Sequence, residues 1–176
     1  MRWDALFADM ELQLSSAAAQ DRAQEVADRT RTERAAVHLV DRLRAGAGRS
    51  VRLTLRSGLR LEGQLVDVGP DWLLLRAPGE HLVPLAAVVM VATLPADVAP
   101  EPGAVLSRLG LGHALRAVAR DRLLVRVVTV AGALHGRVDA VGADHLDVAL
   151  AFEDNGRPTG DRQVVSYAGL DLVMSV

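Results

Sequence analysis

The sequence has no cysteine. Disulfides, thiolate catalysis and cysteine-ligated zinc are therefore excluded. It has no lysine either, so all its basic side chains are arginine or histidine. Aromatics are 3% of the residues, and a core must be built from Leu, Val and Ala. No apolar run reaches the ~18–20 residues that span a bilayer. The opening Met1-Arg2-Trp3-Asp4 leads into acidic positions and not into the apolar stretch of a secretory signal, so the expectation is a cytoplasmic chain without a membrane partner. Excess charge of one sign is also missing: the net charge is −2, without the overall basic excess typical of a nucleic-acid-binding domain.

What is present is apolar residue in quantity, 50% of 176 positions, enough for one or two domains. Trp3, Leu6, Phe7, Met10 and Leu14 fall at helical spacing and form one stripe. A second stripe at Ala36, Leu39, Val40 and Leu43 ends at Gly46 and Gly48. Residues 1–46 therefore read as a long helical segment. After Gly48 the period changes to two: Val51, Leu53 and Leu55 alternate with Arg52, Thr54 and Arg56. Turns at Ser57-Gly58, Gly69-Pro70-Asp71 and Pro78-Gly79 separate further strands, the last lying within His81–Val91. A proline-rich linker spans 95–104, and a short helix is expected at about 107–120.

The chain repeats itself. Val51 to Gly58 lies over Val125 to Gly132, Gly63 to Asp71 over Gly136 to Asp144, and Val83 to Val91 over Val165 to Val173. The second copy carries an insertion around Asp154, Asn155 and Gly156. In each copy the middle glycine, Gly63 or Gly136, interrupts a strand, the mark of a bulge or sharp bend. A unit of about 45 residues buries too little surface to be stable alone.

The residues Val51, Leu53, Leu55, Gly58, Gly63 and Leu65, and again Val125, Val127, Gly132, Gly136 and Val138, resemble the first motif of the Sm-like small β-barrels. The opening Met1 to Phe7 also resembles a family from high-GC bacteria whose members are sometimes labelled Fis-type transcription regulators, although no helix-turn-helix signal is present. The resemblance implies an α+β, mainly β protein: a long N-terminal helix (1–46), a first Sm-like or SH3-like barrel (47–94), a proline-rich linker (95–104), then a short helix and a second barrel (105–176). Where RNA-binding Sm proteins carry an Arg-Gly pair, this chain has Val83-Pro84 and Val165-Ser166, so their nucleotide pocket is not carried over.

Catalytic patterns are missing. Ala45 to Ser50 lacks the lysine of a phosphate loop and lies between a helix and a strand, the wrong order. His38, His81, His113, His135 and His145 do not fall at metal-ligand spacing, and no serine occupies a nucleophile elbow. The expectation is a non-enzymatic protein-interaction or scaffold module, holding a protein partner or a second copy of itself through the N-terminal helix, with no cofactor and no metal. Trp3, Leu6, Phe7, Met10 and Leu14 are its candidate protein contacts, because aromatic anchors dominate interfaces. The alternative is an Sm-like nucleic-acid-binding regulator using Arg52, Arg56, Arg60, Arg122, Arg126 and Arg137 near the hairpins.

Overall fold

The structure is a computed structural model that describes residues 24–25, 28–29, 31, 34–99 and 109–175. The chain divides into two compact units, 1–38 and 39–176. In the first unit the described positions between 24 and 35 are helical, with ion pairs Arg29–Glu25 (3.1 Å) and Arg31–Asp28 (2.9 Å). The Trp3–Leu14 stripe lies outside the described residues.

The second unit begins with helix α1 (Leu39–Ala45). Strands β1 (Ser50–Leu55), β2 (Arg60–Val68), β3 (Trp72–Ala77) and β4 (Gly79–Pro84) follow, then a 3-10 turn (Leu85–Ala87) and β5 (Val88–Ala92). Helix α2 (Leu111–Asp121) opens the second half. It is followed by β6 (Val125–Thr129), β7 (Gly132–Val141), β8 (His145–Ala151), β9 (Pro158–Ser166), a 3-10 turn (Tyr167–Gly169) and β10 (Leu170–Ser175).

The two halves match element for element and share an irregularity between their second and third strands. The β2–β3 register shifts between Leu65 and Asp67, and the β7–β8 register between Val138 and Ala140. The glycine two residues before each shift lies against the next strand's backbone: a Cβ on Gly63 would stand 2.7 Å from the Arg76 carbonyl oxygen, and one on Gly136 would collide with that of Ala149. Only a residue without a Cβ lets these strands approach so closely.

The expected architecture of a long N-terminal helix followed by two tandem small barrels is not what forms. The ten strands of the described residues join one antiparallel sheet in the order β5-β1-β2-β3-β4-β10-β6-β7-β8-β9. The expected 1–46 helix is broken as well: 36–38 are non-helical, so Ala36 falls outside α1. The break precedes Val40 and Leu43, the first described residues that pack against the core, and helices in proteins are held chiefly by an apolar face. α1 has such a face, because Leu43 is fully buried in the core.

The physical cause of the single sheet is core sharing. Leu172 of β10 is buried in the core of the first half, beside Leu53, Leu65 and Leu75. Leu82 of β4 is buried in the core of the second half, with Trp72 and Leu74 packed against the same cluster. Each half is too small to close its own core, and each completes the other's.

Candidate interaction surfaces and arginine groove

The joint between the halves is where β4 meets β10. Val173 pairs with Leu82 and Met174 with His81, and the Glu80 N–H donates to Ser175 Oγ at 3.1 Å. A buried ion pair fastens it. Arg56 Nε donates to Asp171 Oδ1 at 2.6 Å, an Arg56 terminal nitrogen donates to the Leu170 carbonyl at 2.8 Å, and the Ser57 N–H donates to Asp171 Oδ2 at 3.0 Å. Asp171 is fully buried, so all its compensation comes from the first half. On the far side, the Leu111 N–H donates to Asp71 Oδ1 (2.8 Å) and Trp72 Nε1 donates to the Leu109 carbonyl (2.7 Å). The β2–β3 turn thus caps α2, and Trp72 serves packing and that one hydrogen bond.

Among the described residues the sheet has two open edges, β5 and β9. They are not generic edges. The register equates β9 with β4, since Leu73 faces Val83 as Leu146 faces Val165, and Leu74 faces Leu82 as Asp147 faces Val164. It equates β5 with β10 in the same way: Leu53 faces Val91 as Val127 faces Val173, and Thr54 faces Met90 as Val128 faces Leu172. Every strand that makes the joint therefore has its counterpart at a free edge. Leu82 is 5% exposed and Leu172 0%, whereas Val164 is 70% exposed and Met90 59%. Val89, beside Met90, is also exposed.

The arginines expected near the hairpins do not gather on one face. Arg52 and Arg60 border a groove along β1, β2 and β5, where Arg52 lies 3.9 Å from Glu62. Arg56 is consumed by Asp171. Arg126 borders a separate groove beside His81 and Met174. Only Arg122 and Arg137 come together: Arg137 Nε donates to the Arg122 carbonyl at 3.2 Å, in a groove between α2 and β7.

That groove also takes His113, Arg116 and Arg120 from α2, of which the two arginines were not among the residues expected from the sequence. Their spacing was the available signal, since positions i, i+3 and i+7 share a helix face. Arg116 is also felt by Tyr167. Burial pushes the Tyr167 hydroxyl above its ordinary value of 10.0, and the Arg116 charge partly offsets this. The Tyr167 hydroxyl donates to the Gly142 carbonyl at 3.0 Å. Nearby, a hydrogen bond with the His145 ring (2.8 Å) holds the Asp144 carboxyl below its ordinary value. His135 lies 3.4 Å from Glu153. Among the described residues no three potential metal ligands converge, and no helix is long and apolar enough to cross a membrane.

No protein-family model and no curated protein matches the chain.

Proposed function

We propose that the chain is a non-enzymatic, self-associating interaction module whose copies join head to tail, β9 of one chain pairing with β5 of the next. The observation that carries this reading is the β4–β10 joint. It is a working example, inside one chain, of the contact that the two free edges are built to repeat. By the same register Val164 would face Val91 of the next copy, as Leu82 faces Val173. Burying Val164, Val89 and Met90 in that contact removes exposed apolar side chains from water. β5 has no charge along its length (Val-Val-Met-Val-Ala), and an uncharged apolar edge strand is a liability unless it is paired.

A head-to-tail contact of this kind closes into a ring or grows as a filament, according to the rotation it imposes. The Sm-like resemblance fits the reading, since it rests on the same repeated meander. Trp3, Leu6, Phe7, Met10 and Leu14 are proposed as a further protein contact, for a partner or for another copy. The mass in solution, measured by light scattering on wild type and Val164→Asp, tests the reading. Wild type should exceed one chain and Val164→Asp should return to one; a wild type that stays monomeric at tens of micromolar rejects it.

A further inference from the structure

The groove between α2 and β7 holds about 780 Å³. His113, Arg116 and Arg120 line it from the helix, Arg137 from the strand, and Arg122 closes its end. Among the described residues none of these arginines has a carboxylate within 4.0 Å. The one acidic residue in the lining, Asp139, is already paired with Arg162 at 3.0 Å. Arg122 ends α2 in the left-handed conformation (φ 50°), and its carbonyl holds Arg137 by Nε, leaving the two terminal nitrogens of that fork for another acceptor.

The first half shows that this is not a requirement of the fold. The position equivalent to Arg137 is Gln64, whose amide donates to the Gly48 carbonyl at 3.0 Å. The arginines of α1 are also occupied: Arg42 donates to the Pro95 carbonyl at 2.9 Å, and Arg44 pairs with Asp41 at 3.1 Å. In the first half the counterparts of these groups are held by neighbours within the chain. The other half leaves a concave cluster of like charge, on a chain whose net charge is −2. Like charges one helical turn apart destabilise a helix unless something neutralises them.

We propose that this groove binds a ligand carrying at least two phosphate groups in succession. Guanidinium forks match phosphate oxygens bidentately and stay charged at every physiological pH. Arg116 and Arg120 are separated by about 6 Å of helical rise, so they engage adjacent groups and not one. Each linked phosphate offers two non-bridging acceptor oxygens and a negative charge, so a run of them presents to several converging forks the repeated acceptors that a single carboxylate lacks. The ligand chemistry is shared by a phosphoanhydride chain and by a nucleic-acid backbone. It does not depend on the pairing of β9 with β5, so the Val164→Asp variant should bind as wild type does.

The test is fluorescence anisotropy of the full chain with a labelled single-stranded oligonucleotide, and calorimetry with tripolyphosphate, each across a salt series. Binding should weaken steeply with salt. R116A/R120A should weaken it at least tenfold with an unchanged or higher thermal midpoint, and R137A should weaken it in the same direction, while R52A/R60A, in the other groove, should bind as wild type. Tripolyphosphate binding would identify the short phosphoanhydride source, and oligonucleotide binding alone the nucleic-acid backbone. The proposal is overturned by any of three results: neither probe binds at low salt, R116A/R120A binds as wild type, or a polyglutamate peptide displaces the probes at equal concentration.

Discussion

Val164 holds in β9 the place that Leu82 holds in β4, yet Leu82 is buried against the other half of the chain and Val164 faces outward. Two equivalent positions of a repeat, one covered and one bare, describe an interface used once within the chain and offered again at its end. The same holds for Leu172 and Met90. Truncation separates the two uses. Leu82→Ala should cost about 2–5 kcal/mol of stability in a denaturant titration, as for a buried leucine, while Val164→Ala should leave the monomer's stability unchanged within about 0.5 kcal/mol.

The Arg56–Asp171 pair makes a second prediction. Asp171 is fully buried, and its carboxylate is satisfied by Arg56 and the Ser57 N–H. Removing the guanidinium leaves that charge without its counterion. Arg56→Ala should therefore destabilise by about 3 kcal/mol, the lower end for a broken buried pair because Arg56 itself is partly exposed. Urea denaturation at neutral pH measures this; a loss under about 1 kcal/mol would show that the pair does not fasten the joint.

His81 is buried at the joint, and neither ring nitrogen has a partner among the described residues. An unsatisfied buried polar group costs about 1–3 kcal/mol. Replacement by an apolar side chain of similar size, His81→Leu, should then leave the denaturation midpoint unchanged or raise it. A clear fall in midpoint would contradict this account of the ring's surroundings.

Tyr167 is the only tyrosine, so its ionisation can be followed without interference from another phenol. Burial raises its folded-state value above 10.0. The neutral hydroxyl is the favoured form in the folded state, so this stabilisation is present below pH 10, the unfolded value, and fades as pH rises through the folded one. Absorbance near 295 nm should show a midpoint above 10.0. Arg116→Ala should move it higher still, because the positive charge that favours the phenolate is gone.

Much of this was legible in the sequence, and the reasons for the rest are physical. Alternation marked β1, and the turn residues Ser57-Gly58 and Gly69-Pro70-Asp71 marked the ends of the strands that follow. The equivalence of Val83–Val91 with Val165–Val173, visible by eye, is the same equivalence that the pairing register shows. Strand partners were not legible, because a strand's backbone donors and acceptors carry no residue-specific mark. Nothing in Gly79–Pro84 says that β10 will lie beside it. Asp171 looks like a surface residue between two leucines until Arg56, 115 positions away, is brought to it. The arginine groove was half legible: Arg122 and Arg137 were singled out, but Arg116 and Arg120 lie in the helix, away from the hairpins where the arginines were sought.

The pairing of β9 with β5 of a second copy can be tested by a covalent link, because the chain has no cysteine of its own. Val91→Cys and Val164→Cys are made in separate chains, mixed, and oxidised under mild conditions. If the joint between copies repeats the joint within one, the two cysteines face each other on neighbouring strands, within the 4.4–6.8 Å Cα separation typical of disulfides, and a two-chain band appears on a non-reducing gel. That band should need both variants and should vanish when Val164→Cys is replaced by a cysteine at the exposed position Arg162. Equal yields from the two partners, or no link at all from Val91→Cys with Val164→Cys, would contradict head-to-tail pairing.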